Sequence, residues 1–381
     1  MTGRHNIEAA LAPDGARDLP AVIPYEGIFI RDHWDGLTRC PWWYPESPDL
    51  GHQLDWRRDV VGRIGQDWLD LPAFYPREAR ASLAVESAGG DAWLVDIRTG
   101  GRRALSRPQI AGWSEHGQVE SVHPDSPIDT LEDVEEAIPA LEPAPDDGRD
   151  DLARALAHEH GNHLFPMIHV AAPLWRTYHV WGFEGMMTMV ASRPELVKRA
   201  CERLLSQALW QVHGAAARGA AGIWIEDCMT DMISPAAFRS LNVAFLRPLA
   251  EEIRSLGMAS VYYFCGDPSG KWDALFDVGA DALSLEESKK GFTIDIEDVV
   301  ARAAGRCAVL GNLDAIGVLQ NGSEPALRAE IARQVAAGRR NGSRFIMSLG
   351  SPVTPATPVE RVRLCCDLAH ALGRAQGVGH R

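Results

Sequence analysis

Residues 219–287 read GAAGIWIEDCMTDMISPAAFRSLNVAFLRPLAEEIRSLGMASVYYFCGDPSGKWDALFDVGADALSLEE. Gly222 to Ile225 is a short apolar run rich in branched and aromatic residues, and so are Ser260 to Phe264 and Ala282 to Leu285. Between the first two, Pro235 to Leu256 carries the apolar spacing of a helix. Short strands alternating with a helix predict parallel βαβ units.

The alternation extends in both directions. Upstream lie a strand candidate at Phe165 to Val170 and a helical pattern at Pro194 to Gly214. Downstream come Cys307 to Leu310, a helix over Glu324 to Ala337, and Arg344 to Met347. An earlier strand at Ala21 to Tyr25, with room for another, completes eight units. The expected fold is α/β, a closed (β/α)8 TIM barrel, with an open doubly wound sheet as its rival. No GxGxxG turn follows the first strand, which tells against a dinucleotide-binding sheet.

Ser82 to Val122 breaks the pattern. SLAVES, DAWLVDIRTGG, RRALS and GQVESVH read as short antiparallel strands joined by glycine-rich turns. We expect one barrel domain over residues 1–381 with an N-terminal extension. Residues 82–122 form a β-meander insertion over one end, and the acidic, proline-studded stretch at 124–151 forms a short helix and a loop. Twelve tryptophans are present, seven of them before residue 115. Trp34, Trp42, Trp43, Trp56, Trp68 and Trp93 either line a covered apolar pocket mouth or fill the gap between insertion and barrel.

The chain has 381 residues, 46% of them apolar and 24% charged, with a formal net charge of −14. This balance excludes a disordered chain, a fibre and a disulfide-stapled miniature. Acidity makes nucleic acid and anionic membranes poor partners. No membrane-length apolar run occurs, and the N-terminal MTGRHNIEAALAPDGARDLP lacks the apolar stretch of a secretory signal. The seven cysteines show no paired spacing, so reduced thiols and a cytoplasmic location are expected.

In a TIM barrel the active site lies at the C-terminal ends of the strands. Reading just past each strand gives His169, Glu226 and Asp227, Cys265, Glu286 and Glu287, Asn312 and Asp314, and Ser351. Adjacent carboxylates on a strand point to opposite faces, so only one of Glu226 and Asp227 meets the barrel axis. That one suits general acid–base work with a raised pKa; the alternative is a capping or loop-bracing aspartate. Cys265 is a candidate zinc ligand or nucleophile, or a small buried hydrophobe. The run His158-Glu159-His160-Gly161-Asn162-His163 lacks HExxH spacing and reads as the end of a helix.

From about Phe165 to the C-terminus, the chain resembles the uroporphyrinogen decarboxylase superfamily, which includes cobalamin-dependent methyltransferases. The resemblance rests on Gly182-Phe183-Glu184 with SRPELVKR, on the stretches 219–254 and 262–287, on VLGNLDAIGVLQNG, and on the Gly350-Ser351 turn with PVTPATPVERV. It implies a TIM barrel with its site at the strand C-termini. The arginine-rich RQAGRY-like motif of true porphyrinogen decarboxylases is absent; the region reads IFIRDHWDGLTRCPWWYPE, where Arg31 is left to pair one carboxylate. The methyltransferases place zinc on a His-x-Cys pair and a later cysteine. Here Cys265 matches the middle ligand, while Tyr263 and Ser351 stand at the other two positions. Either a metal is held by another set that includes Asp227 or a glutamate, or none is used.

Three functions follow. The first is a methyl-transfer or demethylation enzyme acting on a small apolar, aromatic or methylated substrate, with a corrinoid protein as acceptor. Asp227, Glu226 or Glu287 would protonate the leaving group, His169 and Asn312 would orient the substrate, and Cys265 with Tyr263 would shape the floor. Arg31, Trp34, Trp42, Glu286 and Ser351 complete the expected substrate contacts; a methylated ammonium would suit the tryptophan faces. The second is a cofactor-free decarboxylase of a small aromatic or heteroaromatic acid. The third is a catalytically retired ligand-binding barrel. Relatives commonly form homodimers, but no interface is readable.

Overall fold

The computed structural model describes residues 2–112, 127–141, 146–289 and 291–375. Its large sheet is all parallel, in the order β1 (Trp68–Asp70), β5 (Phe165–Ala171), β6 (Gly222–Asp227), β7 (Ala259–Phe264), β8 (Ala282–Leu285), β9 (Ala308–Leu310), β10 (Phe345–Ile346). A small antiparallel sheet is built from β2 (Leu83–Ala88), β3 (Asp91–Asp96) and β4 (Arg102–Leu105).

The ring closes through residues 20–23. The Val22 amide donates to the Met347 carbonyl (2.9 Å), and the Met347 amide donates to the Pro20 carbonyl (2.8 Å). On the other side the Asp67 amide donates to the Ala21 carbonyl (2.9 Å), and the Asp67 carboxylate accepts the Ala21 amide (2.8 Å). This short segment is the eighth stave of a (β/α)8 barrel. The expected strand at Ala21 to Tyr25 is shorter than its sequence pattern, because Tyr25 turns into the left-handed region (φ 56°) to start the helix Glu26–Asp32.

Three helices differ from expectation, the simplest being Glu324–Arg340, which runs past the expected end at Ala337. The helix starting at Pro194 runs past Gly214 to Arg218, and stops at Gly219 (φ 90°), where a left-handed cap favours glycine. The segment Pro235 to Leu256 is not one α-helix. It divides into Pro235–Phe238, a π-turn at Arg239–Val243, and Ala244–Ser255. Pro248 has no N–H for the Ala244 carbonyl, and the helix widens ahead of it.

Strand alternation sorts the core. On β6, Ile223 and Ile225 turn toward the helices while the Trp224 ring meets Trp68, His169 and Tyr263 across the barrel interior. Each such buried ring or branched side chain stabilises the fold by about 1.5–3 kcal/mol. The small sheet has its own apolar cluster of Ala92, Leu94 and Leu105 against Trp42 and Trp43. Its GQVESVH segment and part of the acidic stretch lie outside the described residues. Within that stretch, Leu131–Ala137 is a helix closed by a Thr130–Asp133 capping box. His158 and His160 end the helix Asp151–His160, and Glu159 pairs with Arg58 at 2.6 Å. Among the described residues all seven cysteines are free, and no helix is long and apolar enough to cross a membrane.

Candidate active site

The C-terminal ends of β1, β5 and β6 converge on one constellation. His169 on β5 stacks on Trp224 (ring centroids 5.7 Å apart), and its Nε2 lies 3.4 Å from Oδ1 of Asp70 at the end of β1. Burial disfavours charge on this imidazole, but Asp70, helped by Glu226 and Glu26, outweighs it and holds the pKa above its ordinary value. Trp224 also stacks on Tyr263 (5.1 Å), and Tyr25 meets Trp224, Tyr263 and His169 edge-on or tilted. These rings, Tyr263 among them, pack into an aromatic layer beneath His169.

Glu226 and Asp227 part company at the end of β6. Glu226 faces the axis and accepts the Tyr25 hydroxyl at 3.2 Å. Burial, then the Glu226 charge, pushes the Tyr25 hydroxyl well above the usual tyrosine range, so it stays a donor. Asp227 turns to the helix layer and is 0% exposed. Its Oδ2 accepts from the Tyr262 hydroxyl and the Asn242 amide, both at 2.6 Å. The π-turn places Asn242 there. Burial raises the Asp227 pKa to about 6 against the pull of these donors. The assignment of Asp227 as the mouth's acid is therefore corrected: it braces strand to helix.

The opposite rim, after β8, β9 and β10, holds groups that satisfy one another. Lys289 Nζ pairs with Glu286 and donates to Ser351 Oγ (2.7 Å), which donates to Glu287 Oε2 (2.8 Å). Burial raises the Glu287 pKa, with Lys289 and Ser351 opposing it. Gly350 permits this approach, because a β-carbon there would collide with the Glu287 backbone. Asn312 donates its side-chain amide to the carbonyls of Glu286 (3.1 Å) and Ile294 (2.9 Å). It holds the loop after β8, a correction to its substrate-orienting assignment. Ser351 and Glu287 are likewise locked into the cluster, with Glu286 Oε2 the buried oxygen left unmatched.

The zinc donor set does not fit. Tyr263 is committed to the aromatic stack and Ser351 to Glu287. Among the described residues no three His, Cys, Asp or Glu side chains are arranged to hold a metal ion. Cys265 sits beside Cys228, whose thiol is kept protonated by its hydrogen bond to Cys265 and by burial; Cys228 Sγ lies 3.8 Å from Glu226 Oε1.

Two clefts adjoin the constellation. One, about 430 Å³, is lined by His169, Asp70, Glu26 and Arg57. The other, about 650 Å³, is lined by Arg31, Trp34, Trp42, Trp56 and Arg107. Gly27, Ile30, Trp56 and Arg57 line both. Trp34 and Trp42 thus face a cleft, while Trp43 and Trp93 pack in the insertion and Trp68 in the barrel. Arg31 is partly spent: Nε pairs with Asp32 (2.9 Å) and Nη2 donates to the Gly112 carbonyl (2.7 Å), clipping the insertion's exit. Tyr25, Asp70, Glu26 and Arg57 were not singled out by sequence. Tyr25 and Asp70 follow from the strand-end rule once the first two staves are bounded; Arg57 lies in a helix and gave no signal.

The model of the family described as uroporphyrinogen decarboxylase (URO-D) matches residues 122–372, about two thirds of the chain. A uroporphyrinogen decarboxylase of Anaeromyxobacter sp. is 27% identical over 190 residues, covering 50% of this chain and 52% of its own. One from Neisseria meningitidis is 25% identical over 195 residues, covering 50% and 53%. The chain thus spans about half the length of these curated relatives. A methyltransferase from Methanosarcina mazei shares the fold with a TM-score of 0.67, at 16% identity, over 97% of this chain and 99% of that one. By its family match the chain belongs to the uroporphyrinogen decarboxylase (URO-D) family of enzymes, built on a TIM barrel with a small inserted sheet.

Proposed function

We propose that this protein removes a methyl group from a small aromatic or methylated substrate, with His169 as the proton donor and a corrinoid-carrying protein as methyl acceptor. The observation that carries the reading is the His169–Asp70 couple above an aromatic floor, opening on a cleft that shares Trp56 and Arg57 with the neighbouring tryptophan-lined one. The substrate ring lies against Trp34, Trp42 and Trp56. As the methyl–heteroatom bond breaks, its electron pair goes to the heteroatom, which takes the proton from the His169 imidazolium. Asp70 stabilises and orients that imidazolium, and Glu226 with the Tyr25 hydroxyl sets the polarity beside it. The corrinoid, when bound, supplies the nucleophile for the methyl group. The exposed side chains of Met232 and Ile316, in the loops after β6 and β9, fit an apolar docking rim for its carrier. The Methanosarcina mazei methyltransferase, alike over nearly its whole length, supports the reading.

A second reading, decarboxylation of a small aromatic acid, is favoured by the names of the curated relatives and by the displaced zinc donors. In it the same imidazolium protonates the carbanion left by carbon dioxide. The test is anaerobic incubation with methoxylated and N-methylated arenes plus cobalamin in its cobalt(I) state, following the corrinoid absorbance change on methylation. A corrinoid-dependent demethylated product supports methyl transfer. Carbon dioxide release from aromatic acids without corrinoid replaces it with the second reading, and neither product overturns both.

A further inference from the structure

Arg57 differs from the arginines around it. It projects from the helix Leu50–Ile64 to the point where the two clefts meet, and its guanidinium lies over the Trp56 ring, 3.9 Å from the centroid. One nitrogen, Nη1, donates to the Gln53 carbonyl (3.0 Å) and to Gln53 Oε1 (2.6 Å). Gln53 is in turn pinned, its amide donating to the carbonyls of Tyr44, Pro45 and Ser47 at 2.8–2.9 Å. The guanidinium plane is therefore fixed by a buried, fully anchored neighbour. Its Nη2 and Nε have no hydrogen-bond partner and no carboxylate within ion-pair distance among the described residues.

Among the described residues no ion pair neutralises this cation. The carboxyl that acts on it is Glu26, outside ion-pair distance, whose pKa burial and then Asp70 raise to about 8. Burial lowers the Arg57 pKa only to about 9, so the cation persists. A half-buried guanidinium with two donors directed at a cleft is suited to a planar, bidentate anion. The tryptophan faces beside it are suited to an aromatic ring.

We propose that Arg57 is the anchor of a carboxylate subsite, and that the substrate is an aromatic carboxylate whose ring lies in the tryptophan-lined cleft. This deepens the proposed function and rests on its placement of the substrate ring. It does not depend on which bond is broken, since a methylated aromatic acid and a decarboxylation substrate both carry the group. Arg31 cannot take this part with the nitrogens it has already spent on Asp32 and Gly112.

The test is calorimetric and needs no turnover. Benzoate and 4-methoxybenzoate are titrated into the whole protein at pH 7, beside their neutral amides of the same shape. Binding of the acids tighter than the amides by roughly ten- to a hundredfold is expected. In Arg57→Gln that preference should collapse while amide affinity stays within about threefold, and Arg57→Lys should restore part of it. Equal affinity of acid and amide in the unaltered protein overturns the proposal, as does the absence of acid binding. So does a folded Arg57→Gln that keeps the preference. Carboxylate selectivity without turnover would instead leave the subsite standing and count against the proposed chemistry.

Discussion

The barrel mouth has two unlike halves. Around β8 to β10 the polar groups close on one another: Lys289 meets Glu286 and Ser351, Ser351 meets Glu287, and Asn312 ties down the loop. Around β1, β5 and β6 the groups are paired across long distances and open onto clefts. His169 lies 3.4 Å from Asp70, and Arg57 has an unused edge. Both halves look equally polar along the strand ends. We read the open half, whose donors and acceptors are left available to a ligand, as the site, and the closed cluster, whose groups pair with one another apart from Glu286 Oε2, as serving the fold.

The sharpest challenge to that comparison is His169→Gln. If the open half does the chemistry, turnover should fall by about 10²–10⁴-fold with the melting temperature nearly unchanged. Retained turnover would remove the histidine from the reaction. Asp70→Asn should be milder, about tenfold, and should act through pH. Activity that needs the imidazolium is present below the His169 pKa and falls as pH rises through it. With Asp70 neutralised, burial is less opposed and the pKa drops. The alkaline limb of the kcat profile should therefore move to lower pH. A uniform loss with an unmoved limb would show that Asp70 only packs.

The closed half should respond in the opposite way. Lys289→Met leaves Glu286 and Glu287 buried without their cation, their side chains 5% and 9% exposed. We expect a loss of about 3 kcal/mol in denaturant unfolding. Turnover per folded molecule should stay within about threefold. A large fall in kcat with unchanged stability would place the cluster in the reaction and dissolve the contrast between the halves.

Much of the fold was legible in the sequence because buried parallel strands are short, apolar and bounded. Ala282 to Leu285 was read with the bounds the structure has, and Phe165 and Gly222 open their strands as expected. The segment at residues 20–23 was legible as a strand but not in length, since the left-handed turn at Tyr25 has no glycine to announce it. The site was less legible. The strand-end rule named His169 and Glu226 together with Asn312 and Ser351 and could not separate open groups from paired ones, because partner saturation is a property of three-dimensional neighbours. Arg57 was out of reach for the same reason. The role proposed for it rests on a helix face, a glutamine clamp and the meeting of two clefts.

Glu226 and Asp227 repeat the same contrast on a single strand, and Asp227→Asn probes it with the smallest expected effect on turnover. Asp227 is buried between the strand and the π-turn, with its Oδ2 taken by Tyr262 and Asn242. An asparagine oxygen accepts both donors, so turnover should be unchanged. Stability should shift with pH. The folded-state pKa of about 6 lies above the ordinary 3.8, so the folded chain holds the extra proton between these values. Its stability from this group is full below about pH 4 and declines as pH rises to about 6, by about 3 kcal/mol. The amide cannot ionise and escapes that decline. The variant should match the parent near pH 4 and exceed it by up to about 3 kcal/mol at pH 7, read from urea midpoints at both pH values. Lost turnover with intact folding would return Asp227 to the mouth chemistry and overturn the division of labour between the two faces of β6.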